Sequence, residues 1–395
     1  MSTVKDEGIF KPERFAATPN LSKEYIKQEI DFCLKKIDEN MLVFRDTYPA
    51  PASVNNVYPA TPNVEWTPGF WTGMLWLAYD VTGDEKYREH AEYQLQSYKD
   101  RLDEGIHIHT HDLGFLYTLS CVAAHRLTGN QFAKDVAIQA ADLLLNRYLE
   151  KAGIIQAWGN LDNPAQRGRM IIDCCLNLPL LYWAYEQTGM EKYNEAAKNH
   201  IANAAKYLIR EDSSTFHTYY MDPETGEPKF GKTSQGYSDD SAWARGQAWG
   251  IYGLPLNYIY NKNDELIDLS KKLTNYFLNR LPEDFVCYWD LIFTDGDEER
   301  DSSAASTAVC GMLELIKSMD DADPLKATYK NAAELILKSL ADNYTSKNAP
   351  ESNGLLLHAV YGKPLGNGID ECCIWGDYFY LEALVRMYKD WELYW

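Results

Sequence analysis

A helical hairpin pattern recurs along the chain: an apolar helix ends at a glycine, and a more amphipathic helix follows. Three strong copies occupy residues 78–102, 124–148 and 184–208. The residue at the junction in each copy is Gly83, Gly129 or Gly189. Glycine suits this position because it adopts the positive φ angle of a helix C-terminus without strain. Weaker copies follow at 259–281 and 319–340, and repeats of this kind predict stacked helical hairpins.

Apolar periodicity extends the pattern to twelve helices. Six amphipathic helices are expected on the outside, near 22–45, 84–102, 131–149, 191–209, 264–280 and 326–343. Six helices that are apolar on nearly all sides are expected on the inside, near 67–80, 111–128, 170–189, 241–261, 301–319 and 373–390. Strand-like alternation is confined to 216–221 and 286–293. The alternation predicts an all-α fold, either a closed α/α barrel of six helical hairpins or a curved helical array.

We expect residues 1–21 to form an N-terminal extension and residues 22–395 a single domain. Loop lengths then predict where its functional site lies. Connections from an inner to an outer helix are short, whereas most connections from an outer helix to the next inner one are long. The long loops therefore gather at the end where the inner helices begin. Functional residues concentrate on such loops, and the helix N-termini at that end favour an anionic ligand.

The composition excludes several classes of partner. The 38 Lys and Arg stand against 58 Asp and Glu, a formal net charge of −20, which disfavours nucleic acid and anionic membranes. No apolar run has the length of a membrane helix, and the first residues lack the apolar core of a secretory signal. The eight cysteines form no C-x-x-C motif. We therefore expect a cytoplasmic protein with reduced thiols.

Two aspartates stand near the start of predicted inner helices. Asp173 follows Ile171 and Ile172 and precedes two cysteines, and burial among apolar neighbours favours a protonated carboxyl group that can donate its proton. Its alternative role is to complete a helix cap. Asp112 is consistent with an N-cap or with a second carboxylate that acts together with Asp173 across the barrel mouth.

Histidines alternate with other residues at His107, His109 and His111. If this stretch is extended, three imidazoles share one face and could ligate a metal ion. Metal sites usually draw ligands from several elements, however, and the chain has no H-E-x-x-H motif. We therefore expect no metal and no other cofactor, and keep the metal site as an alternative. P-loop, dinucleotide-binding and G-x-S-x-G motifs are also absent from the sequence.

Arg245 and three tryptophans complete the candidate set. Arg245 lies near the start of an inner helix, where its planar fork could bind a carboxylate or an ion-pair partner within the protein. Trp66, Trp158 and Trp249 occur beside polar loop residues. Each could belong to the core or form a flat surface for a sugar ring.

Eight segments resemble those of the bacterial unsaturated glucuronyl hydrolases, glycoside hydrolase family 88. They are WTPGFWTGMLWLAY, HDLGFLYTLS, GIIQAWG, RMIIDCCLNLPLLYWA, SSTFHTYYMDPETG, WARGQAWGIYG, RDSSAAS and IWGDYFYLEAL. The resemblance runs from about residue 22 to the C-terminus. It implies an (α/α)6 barrel, in agreement with the helix count.

The resemblance also implies a reaction and roles for individual residues. Asp173 corresponds to the general acid/base and Asp112 to the second essential carboxylate. Substrate-binding positions are implied at Trp66, His111, Trp158, His217, Gln235, Arg245 and Trp249. The implied substrate is a small oligosaccharide, derived from glycosaminoglycan, whose non-reducing end is a 4,5-unsaturated uronic acid. Hydration of its C4=C5 double bond leads to release of that sugar.

Two other functions stay open from the sequence. One is an unsaturated rhamnogalacturonyl hydrolase that acts on pectin fragments. The other is a non-catalytic helical-array binding protein. A carboxylate buried at position 173 favours an enzyme, because a binding surface does not need one.

One loop departs from some members of the family. Streptococcal members that prefer sulfated fragments have a Ser-x-x-Ser-x-Lys motif shortly before the Ile-Trp-Gly-Asp segment, where this chain has residues 362–367, GKPLGN. The hydroxyls and the lysine are absent from those places. We therefore expect weak discrimination in favour of sulfated disaccharides or a preference for unsulfated ones, although Lys363 could supply a cation from a shifted position.

Overall fold

The protein is described by a computed structural model that covers residues 4–164 and 166–395. The α-helices in these residues are α1 (Lys23–Met41), α2 (Pro68–Thr82), α3 (Glu85–Asp103), α4 (Leu113–Tyr117), α5 (Ala123–Thr128), α6 (Gln131–Leu145), α7 (Pro179–Thr188), α8 (Glu191–Tyr207), α9 (Ala244–Asn261), α10 (Asp264–Asn279), α11 (Ser302–Ser318), α12 (Pro324–Ser339) and α13 (Ile374–Tyr388). A π-helical turn at Thr118–Val122 joins α4 to α5. Counted as one helix, this pair leaves the twelve helices that the sequence predicts.

The inner helices form a closed ring. Helix α2 contacts α4, α4 contacts α7, α7 contacts α9, α9 contacts α11, and α11 contacts α13, which returns to α2. The remaining six helices pack outside this ring, with α1 against α13 and α3 against α2. Closure rules out the curved array and confirms the (α/α)6 barrel.

The turns between inner and outer helices are formed as the glycines predict. Gly83, Gly129 and Gly189 have φ angles of 69°, 71° and 70° and end α2, α5 and α7. A residue with a Cβ atom is strained in this left-handed conformation. These tight turns keep each hairpin short at one end of the barrel.

All the strands in the described residues lie in connections that lead from an outer helix to an inner one. They are β1 (Tyr48–Pro49), β2 (Ala60–Thr61), β3 (Tyr148–Leu149), β4 (Ile154–Ile155), β5 (Arg169–Ile171), β6 (Thr218–Met221), β7 (Pro228–Lys232), β8 (Ala359–Gly362) and β9 (Asn367–Glu371). Strands β5, β6 and β7 form one antiparallel sheet, and the others form two-stranded hairpins. The predicted long loops therefore have ordered structure of their own.

One of the two predicted strands is correct. The segment at 216–221 contains β6, but 286–293 makes only isolated bridges, at Tyr288 and Asp290. The prediction of a strand there is wrong, since the backbone of this segment pairs with two other segments only at single positions. The carboxylate of Asp290 accepts the backbone N–H of Tyr237 at 2.8 Å and the hydroxyl of Ser241 at 2.7 Å.

The described part of the N-terminal segment lies against the outside of the barrel. Glu7 forms an ion pair with Arg280 at 2.7 Å, and Arg14 donates to the carbonyl oxygen of Leu281 at 2.9 Å. Phe15 is buried. None of the helices in the described residues is both long and apolar enough to cross a membrane.

Candidate active site

A cavity of about 250 Å³ opens at the end of the barrel where the inner helices begin. This is the end at which the long loops were expected to gather. Its lining residues come from the starts of inner helices and from the connections before them: Trp66, Asp112, Trp158, Asp173, His217, Ser234, Gln235, Trp243, Arg245, Trp249, Tyr361 and Leu365. The lining combines titratable groups with aromatic rings.

Asp112 and Asp173 meet in this cavity because two inner segments approach each other closely. Asp112 directly precedes α4, and Asp173 lies in the 3-10 turn before α7. A Cβ atom at Gly114 would lie 2.3 Å from Cα of Asn177, so this approach requires glycine. Asn177 bridges the two segments, since its side-chain oxygen accepts the backbone N–H of Phe115 at 2.7 Å. One oxygen of each aspartate thus lies within 4.8 Å of the other.

His111 is buried beside both aspartates. Its Nε2 is 3.4 Å from Oδ1 of Asp112 and 3.2 Å from Oδ1 of Asp173, and neither ring nitrogen makes a hydrogen bond of good geometry. Burial, together with the positive charge of Arg147, lowers the pKa of His111 to about 3. The imidazole is therefore neutral at pH 7 and adds no positive charge to the pair.

Burial raises the pKa of both aspartates. The pKa of Asp112 rises to about 6, because burial outweighs the stabilising hydrogen bond from the Thr110 hydroxyl, which is 2.7 Å from Oδ2. The pKa of Asp173 is raised well above its usual value, first by burial and then by the negative charge of Asp112. At neutral pH this arrangement favours a protonated Asp173 beside an ionised Asp112.

His217 offers a hydrogen-bond donor to the cavity. Its Nδ1 accepts the backbone N–H of Ser234 at 2.9 Å, and burial lowers the pKa of His217 to about 3, with a further contribution from Arg245. A neutral imidazole whose Nδ1 accepts a hydrogen bond carries its proton on Nε2. The ring packs against Trp243, with 4.6 Å between ring centres, so the direction of the donor is fixed.

Arg245 is buried, and the protein uses four of its five N–H groups. Nη1 donates to the carbonyl oxygen of Val360 at 2.5 Å and to Asp301 at 3.5 Å. Nη2 donates to the carbonyl oxygen of Tyr361 at 2.7 Å and to the side chain of Gln235 at 3.2 Å. Only Nε–H is left over. In this structure Arg245 therefore fixes neighbouring cavity residues and does not present an open fork to a carboxylate.

The three predicted tryptophans differ in exposure. Trp158 is 40% exposed, and the indole nitrogen of the half-buried Trp66 donates to the hydroxyl of Tyr361 at 2.9 Å. Trp249 is only 1% exposed and packs against Phe115, with 5.5 Å between ring centres. Trp66 and Trp158 thus have ring surface available to a ligand, whereas Trp249 closes the base of the cavity as part of the aromatic core.

Comparison with known proteins agrees with this geometry. The model of Glycosyl Hydrolase Family 88 matches residues 43–394. The chain is a member of glycoside hydrolase family 88. It is 52% identical over 393 residues to the unsaturated chondroitin disaccharide hydrolase of Streptococcus agalactiae serotype III (strain NEM316), covering 99% of this chain and 98% of that one. It is 42% identical over 370 residues to the unsaturated glucuronyl hydrolase of Bacillus sp. (strain GL1), covering 93% and 98%.

Solved structures of family 88 enzymes superpose on the whole chain. The crystal structure of unsaturated glucuronyl hydrolase from Streptococcus agalactiae matches with a TM-score of 0.97 at 52% identity, covering 99% of each chain. A mutant of the enzyme from that species, complexed with dGlcA-GalNAc6S, matches with a TM-score of 0.89 at 50% identity, again covering 99% of each chain. The barrel of this family 88 member is therefore that of glycoside hydrolases with solved structures.

Most of the site residues expected in this family 88 member lie together. Eight of the nine line the cavity, and the ninth, His111, contacts both aspartates. Asp112 occupies the N-cap position of α4, but its carboxylate makes no capping hydrogen bond there, whereas the carboxylate of Asp301 does cap α11. The sequence did not point to four lining residues: Ser234, Trp243, Tyr361 and Leu365. Trp243 stands two residues before Arg245, at the start of the segment WARGQAWGIYG, and could have been found from that segment.

The histidine run of this family 88 member does not form the metal site considered from the sequence. His107 and His109 are exposed and line an adjacent cleft, whereas His111 is buried. His107 has a φ angle of 46°, so the stretch is not extended and the three imidazoles do not share one face.

Proposed function

We propose that this protein releases 4,5-unsaturated uronic acid from the non-reducing end of oligosaccharides derived from glycosaminoglycans. The observation that carries the proposal is the pair of buried aspartates in one cavity, of which Asp173 favours its protonated form and Asp112 its ionised form at neutral pH. The substrate class is supported by the similarity to unsaturated chondroitin disaccharide hydrolase. The same pair disfavours a binding protein without catalytic activity.

In the proposed reaction, Asp173 donates its proton to C4 of the unsaturated ring. Positive charge develops at C5 and the ring oxygen, and the ionised carboxylate of Asp112 stabilises it. Water then adds to C5 and gives up one proton to Asp173, which restores the starting state of the enzyme. The hemiketal at C5 opens to a ketone, and the C1–oxygen bond to the rest of the oligosaccharide breaks.

The remaining cavity residues would bind and orient the ring. The Nε2–H of His217 and the side-chain amide of Gln235 supply hydrogen bonds, and Trp66 and Trp158 supply flat apolar surfaces for the sugar. We assign Arg245 to holding Gln235 and residues 360–361 in place, because these groups occupy most of its donors. These local donors must outweigh the repulsion between an anionic sugar and a chain with a net charge of −20.

We also propose that the reaction takes place in the cytoplasm. All eight cysteines are unpaired and buried, which is the usual state of thiols in a reducing compartment. Activity in a periplasmic or secreted fraction of the source cells, with none in the cytoplasmic fraction, would contradict this location.

The experiment that tests the activity follows the ultraviolet absorbance of the double bond. Wild-type protein should remove this absorbance from unsaturated chondroitin disaccharide faster than from an unsaturated rhamnogalacturonan disaccharide. Asp173→Asn should bind the disaccharide but lower kcat by about two to four orders of magnitude, since the amide cannot cycle a proton. Near-normal turnover by the folded variant would refute the mechanism, and a preference for the pectin fragment would favour the rhamnogalacturonyl alternative.

A further inference from the structure

Three side chains that can ligate a metal converge at one place in the described part of the chain. One ligand atom each of His111, Asp112 and Asp173 lies within 4.8 Å of the other two. The side chain of His111 is 1% exposed, and neither of its nitrogens has a hydrogen-bond partner. Oδ1 of Asp173 also lacks one. Buried polar atoms normally have partners, so these unpartnered atoms require an explanation.

The spacing of these atoms suits a tetrahedral cation. Zinc binds histidine nitrogen and carboxylate oxygen at about 2.0–2.2 Å, so two ligands on a tetrahedron lie roughly 3.3–3.5 Å apart. The two distances from Nε2 of His111 are 3.4 Å to Asp112 and 3.2 Å to Asp173. These two edges match a tetrahedron, the two carboxylate oxygens lie within 4.8 Å of each other, and Asp112 and Asp173 also line the cavity.

We propose that His111, Asp112 and Asp173 form an inhibitory binding site for a zinc-type divalent cation. Histidine nitrogen and carboxylate oxygen are both zinc ligands. Mg²⁺ and Ca²⁺ are poor candidates, because they prefer six or more oxygen ligands. A cation bound there engages the carboxyl oxygens of both aspartates.

The inhibitory effect rests on the proposed function, in which both aspartates act on the unsaturated ring. A cation held between the two aspartates also blocks the place where the unsaturated ring would bind. Inhibition should therefore be competitive with the disaccharide. Binding of the cation itself does not depend on the reaction and can be measured separately.

Binding is tested by titrating Co²⁺ into the purified protein and recording its visible spectrum. We expect one equivalent with the intense bands of tetrahedral cobalt, displaced by Zn²⁺ and unaffected by excess Mg²⁺. The bands should be lost in Asp112→Asn and in Asp173→Asn, both checked for folding by circular dichroism. They should persist in the His107→Ala/His109→Ala double variant, the matched control. The proposal would be overturned if the bands persisted in both Asn variants or were lost in the control. A near-ultraviolet cobalt–thiolate band would also overturn it.

Activity is then assayed with the unsaturated disaccharide and Zn²⁺. Zinc should raise the apparent KM without changing kcat, and EDTA should restore activity fully while leaving metal-free enzyme unaffected. Cobalt bands at the three residues without inhibition would support the metal site and contradict the catalytic role of Asp173. Inhibition that persists without those bands would overturn the metal site and leave the proposed function standing.

Discussion

The guanidinium carbon of Arg169 lies 3.6 Å from the centre of the Trp158 ring. Arg169 is in turn held by Tyr220, whose hydroxyl accepts its Nε–H at 2.9 Å, and Tyr220 stacks on Phe230 with 4.9 Å between ring centres. In the sheet, Arg169 of β5 lies opposite Tyr220 of β6, and Tyr220 lies opposite Phe230 of β7. Trp158 lies in a loop without helix or strand, so the sheet supplies the rigidity that this loop lacks.

We expect Arg169→Ala to weaken substrate binding through Trp158. A partly desolvated cation–π contact is worth about 1–2 kcal/mol, which corresponds to a rise in KM of roughly 5- to 30-fold with kcat largely kept. Arg169→Lys should recover part of the loss, and Phe230→Ala, at the exposed end of the stack, should change KM little. Steady-state kinetics with the disaccharide measure all three. A lower kcat at unchanged KM would show that Arg169 does not act through the binding surface.

Asp112→Asn should stabilise the protein at alkaline pH while abolishing activity. Burial raises the pKa of Asp112 from 3.8 to about 6, so the stability that this carboxyl contributes is complete below about pH 4 and is lost as the pH rises through 6. The corresponding free energy is about 3 kcal/mol, and an uncharged Asn does not lose it. Thermal unfolding at pH 4 and pH 8 measures the effect, with the exposed Asp297→Asn as control. A lower Tm than wild type at pH 8 would contradict this account.

Arg245→Lys should impair the enzyme even though it keeps the positive charge. Lysine cannot reproduce the four hydrogen bonds to Val360, Tyr361, Gln235 and Asp301, and buried charge-assisted bonds are worth about 1.5–3 kcal/mol each. We expect a lower Tm and a rise in KM of tenfold or more. A positioning role predicts a similar rise for a substrate analogue whose carboxylate has been reduced. A rise seen only with the carboxylate present would instead identify Arg245 as its direct partner.

Sulfated disaccharides should not be preferred. The Lys363 ammonium contacts the carboxylates of both Glu298 and Glu299, so these three side chains carry a net negative charge near the cavity residue Leu365. A sulfate needs free donors and a favourable potential. Comparison of kcat/KM for unsulfated and 6-sulfated unsaturated chondroitin disaccharides tests this. The Glu298→Gln/Glu299→Gln variant should have a higher kcat/KM for the sulfated disaccharide than the wild-type protein has. If the wild-type protein instead prefers the sulfated disaccharide, and Lys363→Ala loses that preference, then the lysine binds sulfate.

Gly114→Ala should separate the two aspartates. The added methyl group would meet the backbone of Asn177 at 2.3 Å, which cannot yield without moving an inner segment. We expect destabilisation of about 1–3 kcal/mol and a fall in kcat of tenfold or more. Gly250→Ala is the control, because its methyl group comes closest to the end of the flexible Leu273 side chain, at 2.6 Å, and meets Thr215 and Ile172 only at ordinary distances of 3.5 and 3.7 Å. Equal losses of kcat in the two variants would contradict a specific role for the approach at Gly114.

Local signals predicted the barrel and the end that carries its site. Apolar periodicity and the glycines after α2, α5 and α7 reflect contacts within a few residues, and loop lengths need no knowledge of packing. The partners of Arg245 could not be predicted in this way, because Val360 and Tyr361 lie 115 and 116 residues away. An arginine near a helix start has the same sequence pattern whether its donors meet a ligand or the protein.

The ion pairs of Lys363 could not be predicted from the sequence for the same reason. Its acidic partners stand 64 and 65 residues earlier in the chain, in the segment after 286–293 where the sequence predicted a strand. Alternation there resembles that of β6, but the backbone of 286–293 pairs with its neighbours only at isolated bridges. Asp290 instead binds side chains and backbone of the preceding loop, which no local pattern reveals.

The closed base of the cavity, where Trp249 packs on Phe115, limits how a polymer can be used. A polysaccharide chain cannot pass through this base, so a chain enters the cavity by its end and each productive encounter shortens a molecule by one sugar. The viscosity of a long polymer should hardly fall during the reaction. The overall rate of degradation would then depend on how many unsaturated ends a separate chain-cleaving lyase has already produced.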